Sequence, residues 1–514
     1  IELLGRASDP GVDMLSIIRK NNLPLQFPPE VLAEADGIPD SVDPNRYRER
    51  EDLREKFIVT IDPDDARDFD DAINVEQLPG GEWELGVHIA DVAAYVTPGS
   101  ALDREALNRG NSVYLVDRVI PMLPERLSNG VCSLNPNVVR LTHSVFIRFA
   151  KNGTPRGARF ARTMIKSARR LTYKEAFGIL QKPPHDELSH RLHATWDLAS
   201  TLRRRRFAHG SLDLDFPEVK VIVDKQTGRP LRLERIENDE SHQLVEEFML
   251  AANEAVASEL KHRLVPTIYR VHETPDPDKL TEYREFVMSY GFKAGDLTNR
   301  RELQRLLESF RGKPEEQALK IGLLKSLKRA RYATQPLGHF GLSKNNYTHF
   351  TSPIRRYADL VVHRILAGRD GQRGAQRTAG ELTGIAEHIS TTERVAAEAE
   401  NESVKMKKLE FLERQITEKN PQVFRAVVIE VRNYGLLIEL PDVLLTGLVH
   451  VSSLSDDFYT FDGARRRLIG RQSKRTFAVG DVLKVVVARI DVFKRQADFA
   501  IVNDRSAKAA RRGS

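Results

Sequence analysis

Six aspartates crowd residues 62–71, at positions 62, 64, 65, 68, 70 and 71, between the strand-like runs FIVTI and AINVEQ. Carboxylates packed this closely repel one another and raise each other's pKa unless cations hold them together. A fold that carries them must expose them to water or supply metal, and the simplest reading is a divalent-metal active site between two strands. A calcium-binding helix-loop-helix would need Gly at the sixth position of its loop and Glu at the twelfth. Counted from Asp62, those positions hold Arg67 and Ile73, and the flanks read as strands. A solvated acidic turn is the plainer alternative, because Asp-Pro favours a turn. Against it, acids resume at Asp68, Asp70 and Asp71 just as the next strand begins, where they cannot all reach water. Hard oxygen ligands suit magnesium or manganese, and two such ions about 4 Å apart can activate water and stabilise a leaving oxygen. Phosphodiester hydrolysis is the chemistry that fits.

A second segment, Ala333–His363, contains GHFGLSKNNYTHFTSPIRRYADLVVH. Thr351 or Ser352 can cap a helix with Pro353 at its first position, setting free backbone N–H groups beside Arg355 and Arg356. Such an arrangement binds phosphate; its plainer reading is a capped helix with exposed arginines. Basic residues also cluster at Arg203–Arg206, from Lys325 to Arg331, at Arg465–Arg467 and at Arg511–Arg512, within a net charge of +6. Beside an acidic loop these clusters suit a polyanion, although any single run can equally solvate a helix face.

The length of 514 residues suggests about two to four domains. Cys132 is the only cysteine, which excludes an intrachain disulfide and a Cys-based zinc finger and fits a cytoplasmic setting. No apolar run approaches the roughly 18 residues of a membrane span, and no signal segment opens the chain. Starting as IELLGRASDPG, the chain is expected to begin inside a longer protein. Residues 1–50 read as a fragment and connector, with a short strand Ile1–Leu4 and a helix near Val12–Asn21. From Phe57, strands joined by a turn at Pro79, Gly80 and Gly81 begin a mixed sheet. Beyond residue 160 helical spacing dominates, over Leu188–Phe207, Ser241–Leu260, Asp276–Tyr290, Glu315–Arg331, Pro353–Ala367 and Leu382–Thr417. Past Asn420, five short strands with a turn at Gly480 and Asp481 describe an oligonucleotide-binding barrel, and RSAKAARRGS closes the chain as a basic tail. The expected class is α+β: a mixed-sheet domain with surrounding helices, followed by an all-β barrel of the OB-fold.

The motifs TIDPDDARDFDDAI, HIADVAAYV, NSVYLVDRVIPMLPERLSNGVCSLNP, VEEFMLAAN and HFTSPIRRYADLVVHR closely resemble the catalytic RNB domain of the ribonuclease II and ribonuclease R family. The resemblance runs over 51–400, with a helical connector at 401–420, a region at 421–503 similar to the S1 RNA-binding domain, and a tail at 504–514. Residues 1–50 resemble the remnant of a cold-shock domain and its linker. The runs NSVYLVDRVIPMLPE and GLVHVSSL look most like the ribonuclease R branch.

The resemblance implies processive hydrolysis of RNA from its 3′ end to nucleoside 5′-monophosphates, with Mg²⁺ or Mn²⁺ at the site. It further implies single-stranded RNA and structured RNA with 3′ overhangs as substrates, a monomer, a cytoplasmic location and no membrane partner. By matching positions, Asp62 and Asp71 hold one ion, while Asp70, helped by Asp68, holds or positions the second and its attacking water. Asp64 and Asp65 are turn residues. Arg355 would contact the scissile phosphate, with Arg356 a neighbouring RNA contact. Tyr114 matches a tyrosine near the terminal base, Tyr173 another along the RNA channel, and Glu246 or Glu247 an acid near the terminal ribose. Leu214 stands where the family usually carries a base-clamping phenylalanine, and Phe216, two residues on, is the candidate substitute. In the barrel, Tyr434 and His450 match RNA-contacting positions, whereas Leu436 replaces a commonly aromatic one and should weaken stacking there. Lacking complete cold-shock barrels, the chain is expected to bind RNA less tightly and to keep catalysis. The competing reading is a non-catalytic RNA-binding scaffold of the same fold. Loss of a key aspartate would favour it, and Asp62, Asp68, Asp70 and Asp71 are all present.

Overall fold

In the computed structural model of the protein, the described residues are 3–6, 9, 11–214, 216–224, 226–368, 377–416, 418, 421–463, 465–491 and 494–502. The alternating runs around the aspartates fold as strands of a seven-stranded mixed sheet. Its members are Glu51–Asp52 (β1), Val59–Asp62 (β2), Asp71–Gln77 (β3), Trp83–Ala90 (β4), Val139–Phe149 (β5), Pro155–Lys166 (β6) and Arg169–Thr172 (β7). Their spatial order is β1-β6-β5-β4-β3-β2-β7. The connections β3 to β4, β4 to β5 and β5 to β6 are antiparallel, whereas β1 lies parallel to β6 and β2 to β7. Along β4 the period of two sends Leu85, Val87 and Ile89 into the core. Each such side chain contributes about 1.5–3 kcal/mol on leaving water. That core continues into the helices Glu187–Ala208 and Glu240–His262 through Leu192, Leu198, Leu244, Phe248 and Val256. The opposite side of β4 is polar and internally satisfied, with His88 bonded to Ser144 Oγ at 2.7 Å and to Asn74 Oδ1 at 2.8 Å.

Tyr357–Gly368 is mostly apolar and buried through nearly its whole length, with Leu360, Val361 and Val362 in the main core. One of its polar tethers is Arg364, whose guanidinium donates to Asp103 at 2.6 Å. The helix Ala379–Ile416, 38 residues long, runs unbroken past residue 400 and packs against the barrel strand Val482–Asp491. The helix Val12–Lys20 buries Met14, Ile17 and Ile18 in a cluster with Ala396 and Ala399 of that long helix.

The carboxy-terminal barrel is closed by Phe424–Arg432 (β8), Gly435–Leu440 (β9), Leu445–His450 (β10), Val482–Asp491 (β11) and Gln496–Ile501 (β12), in the order β8-β9-β10-β12-β11. Gly435 is required at the β8 to β9 hairpin, because a Cβ there would lie 2.3 Å from the Val449 carbonyl oxygen. A small sheet of Tyr459–Asp462, Arg467–Gly470 and Thr476–Ala478 is inserted between β10 and β11, and no expectation covered it.

Several local expectations are corrected. Leu3 and Leu4 are not in a strand, and Ile1 and Glu2 lie outside the described residues, as does the tail 504–514 with Arg511 and Arg512. The helix expected over 315–331 ends at Ser326, and Arg331–Ala333 instead pairs with Tyr269–Val271. Leu436 is wholly buried in the barrel core, so it cannot face RNA; strand alternation turns its neighbour Leu437 outward.

Candidate active site

The aspartate cluster is placed by both ends of one hairpin. Asp62 ends β2 and Asp71 begins β3, and the chain between them is pinned by Ser133, which accepts the Phe69 N–H at 3.0 Å and donates to the Arg67 carbonyl at 2.7 Å. Asp62 and Asp70 are buried, Asp68 and Asp71 partly so, while Asp64 and Asp65 are exposed at the turn. Asp65 pairs with Lys220 at 2.7 Å. Burial, aided by repulsion from Asp71, pushes the Asp62 carboxyl up to about 8, and burial pushes Asp71 up to about 6. Burial likewise raises Asp70 well above the usual carboxylate range, against the opposing pull of Arg355.

Asp62 Oδ2 is buried without a hydrogen-bond partner among the described residues. A buried acceptor is seldom left so, and an all-oxygen donor set that repels itself is what a hard divalent cation satisfies. The carboxylates therefore fit such an ion. Linkage then fixes a pH dependence. Carboxyls whose folded pKa lies above the ordinary aspartate range favour the folded state while protonated, and that stability is lost as pH rises through about 6 and 8. Added Mg²⁺ should raise the melting temperature more near pH 8.5 than near pH 5.5, and Asp62→Asn should shrink this difference. Differential scanning fluorimetry at both pH values checks it; an equal Mg²⁺ response at both would contradict it.

The segment 350–356 meets the cluster from the other side. Its Ile354 N–H donates to Asp70 Oδ1 at 2.9 Å, and Arg355 Nε lies 3.5 Å from Asp70 Oδ2. The expected helix start at Pro353 is corrected: residues 353–355 form a turn, and the helix begins at Tyr357. The backbone N–H groups are already spoken for, because Ser352 N–H donates to buried Asp359 at 2.8 Å and Ile354 N–H to Asp70. Arg355 is left half-exposed and, among the described residues, its guanidinium holds Ser352 Oγ at 3.2 Å and faces Asp70. Arg356 differs, since its Nε and Nη2 grip Asp359 at 2.9 and 2.8 Å. That bidentate hold makes Arg356 a fastener of the loop before it is anything else.

Two tyrosines flank the carboxylates. Tyr114 is 37% exposed, its hydroxyl donates to Asp68 Oδ2 at 3.3 Å, and its N–H donates to Glu400 at 2.7 Å. Tyr173 follows Thr172, the register partner of Asp62, and its ring stacks on His242 at 4.0 Å. Glu246 is half-exposed beside Arg203 at 3.2 Å, whereas Glu247 is buried in a pair with Arg206 at 2.6 Å. Of the two acids only Glu246 can reach a ligand from the open side, and the Arg203–Arg206 run is partly neutralised by these partners. Leu214 packs on the helical cluster that contains Leu212, Leu303 and Phe310; Phe216, also half-buried, is outside that cluster. In the barrel, Tyr434 and His450 are exposed and meet at one hairpin edge, where Gly435 pairs with His450.

Glu400, Asp359 and His242 had not been singled out from the sequence. Asp359 sits in the RRYADL run, three residues beyond Arg356, a spacing that permits the pair on a helix. Glu400 carries no local signal at all.

The RNB domain family matches residues 50–368, and the S1 RNA binding domain matches residues 419–501. Ribonuclease R of Thermotoga maritima is 43% identical over 519 residues, an alignment that covers 98% of this chain and 72% of that protein. Ribonuclease R 1 of Lactococcus lactis is 37% identical, over 99% of this chain and 64% of its own length. Among solved structures, Mycoplasma genitalium RNase R in complex with ribose methylated single-stranded RNA is similar with a TM-score of 0.87 at 29% identity, covering 98% of this chain and 79% of that one.

Proposed function

The chain belongs to the RNB family, within the ribonuclease R branch of metal-dependent 3′–5′ exoribonucleases, and from this we propose a two-metal, processive hydrolysis of RNA. The observation that carries the reading is one contact region: buried carboxylates with an unsatisfied oxygen on Asp62, and Arg355 reaching them to 3.5 Å at Asp70. Asp62 and Asp71 hold one Mg²⁺, and Asp70 with Asp68 holds the other. Such a pair, when bound, supplies an activated water and charge stabilisation for the leaving oxygen. Water forms its bond to the last phosphodiester phosphorus while the bond to the penultimate 3′ oxygen breaks, so a nucleoside 5′-monophosphate leaves and the RNA is one residue shorter.

Arg355 draws negative charge from the phosphoryl oxygens as it develops. Tyr114 and Tyr173 offer ring faces to the last bases and riboses, and Glu246 an acceptor for a ribose hydroxyl. The barrel adds Tyr434, His450 and surrounding cations for the upstream strand. The substrates on this reading are cytoplasmic single-stranded RNA and duplexes with a 3′ overhang, and the chain works as a monomer.

A 5′-labelled RNA incubated with and without Mg²⁺ tests it. The expected result is shortening by single nucleotides from the 3′ end only with metal, and passage into a duplex that carries a 3′ overhang. Retardation of the RNA without shortening would establish a binding scaffold instead, and a stall at the duplex junction would remove the structured-RNA part.

A further inference from the structure

A second polar cluster lies within the same domain and plays no part in the hydrolysis described above. Asp91 follows β4 directly, His143 sits in β5, and His363 belongs to the buried helix Tyr357–Gly368. All three are buried, and one potential ligand atom from each lies within 4.8 Å of the other two. His363 Nε2 is 2.8 Å from the Phe350 carbonyl, which can only accept, so Nε2 carries the ring proton and Nδ1 presents a bare lone pair. Among the described residues that Nδ1 has no hydrogen-bond partner. His143 Nε2 lies 3.4 Å from Asp91 Oδ1, a long ion-pair contact that brings the imidazole nitrogen and the carboxylate oxygen face to face. Arg50 Nη2 takes the other carboxylate oxygen at 2.5 Å and fixes its direction, and Ala94 N–H occupies one lone pair of Oδ1 at 3.1 Å, leaving the second toward the histidines.

Two imidazole nitrogens, only one of them without a partner among the described residues, and a carboxylate oxygen within 4.8 Å of both are a donor set for a borderline-soft cation. We propose that Asp91, His143 and His363 bind one Zn²⁺, separate from the carboxylate cluster of the active site. Tetrahedral zinc with ligands at about 2.0–2.1 Å sets its ligand atoms roughly 3.4 Å apart, so the imidazoles close in by on the order of 1 Å. Arg50 and the Phe350 carbonyl orient two of the ligands from behind, as outer partners do in metal sites.

The consequence is mechanical. Asp91 is next to Ala90, whose N–H donates to the Asp70 carbonyl at 2.9 Å, and His363 holds Phe350 at the start of the segment that carries Arg355. The ion staples the sheet under Asp70 to the loop bearing Arg355.

The test loads chelator-stripped protein with Zn²⁺ or Co²⁺ in excess Mg²⁺, desalts it and measures retained metal by mass spectrometry. About one Zn²⁺ per chain is expected, together with a higher melting temperature. His143→Phe and His363→Gln should weaken retention by about tenfold or more, and Asp62→Asn should leave it unchanged. Should those variants fail to fold, the unchanged protein still decides: bound Co²⁺ must show the intense visible bands of a tetrahedral site. No retained zinc, equal retention in a folded His143→Phe, loss in Asp62→Asn, or only a weak octahedral Co²⁺ spectrum would overturn the proposal.

Discussion

Asp70→Asn is expected to stop nucleotide release, lowering turnover about a thousandfold or more, while RNA affinity stays close to that of the unchanged protein. The substitution is nearly isosteric, so the amide oxygen can keep the Ile354 N–H bond that Oδ1 now accepts at 2.9 Å. What goes is the charge. The other carboxylate oxygen, 3.5 Å from Arg355 Nε, becomes an NH₂ that neither binds a cation nor attracts the guanidinium. RNA is held chiefly through phosphates and stacked bases, at groups that this change does not touch. Removing one of several mutually repelling buried carboxylates also lowers the strain of the metal-free fold, so its melting temperature should hold or rise. Quenched-flow release of labelled mononucleotide, with filter binding in parallel, separates the roles. Turnover within about tenfold of the unchanged protein would take Asp70 out of the chemistry, and a loss of RNA binding would make it a structural residue.

What could be read from the chain alone follows the range of the forces involved. The sheet and the barrel were legible because alternation along 57–90 and 424–501 is a local record of which face is buried. The aspartate loop was legible for a related reason: repulsion between near neighbours in sequence needs no tertiary information. Contacts between distant segments left no such record. Pro353 looks like a helix start until Asp359 takes the Ser352 N–H and Asp70, 284 residues away, takes the Ile354 N–H. Glu400 fixes the Tyr114 backbone across 286 residues. Leu436 fails for a different reason. Neighbours in a strand face opposite sides, so the barrel core takes Leu436 while the adjacent Leu437 is only half-buried. The Arg203–Arg206 run read as a basic surface, yet Arg206 is buried against Glu247, and only the fold could supply that partner.

The adjacent arginines should part company under substitution, and this is the second large effect. Arg355→Ala is expected to lower kcat by about 10²–10³ with a much smaller change in KM, because its half-exposed guanidinium acts on charge that appears only as the phosphodiester breaks. The backbone should survive, since Arg355 O accepts the Ser112 N–H at 3.0 Å and Ile354 stays tied to Asp70 whatever the side chain. Arg355→Lys should recover only part of the rate. A lysine restores a point charge but cannot meet Asp70, Ser352 Oγ and a phosphate oxygen from one planar fork. Arg356→Ala should behave otherwise. It strips buried Asp359 of both guanidinium bonds, and breaking a buried pair from one side costs about 3–5 kcal/mol. The expected result is a clear drop in melting temperature, with kcat falling as the loop loosens. Single-turnover kinetics and thermal unfolding on both variants decide the matter. A stable Arg356→Ala with a selective loss of RNA affinity would instead make it chiefly an RNA contact, and an Arg355→Ala that raises KM at unchanged kcat would move Arg355 from the reacting phosphate to ground-state binding.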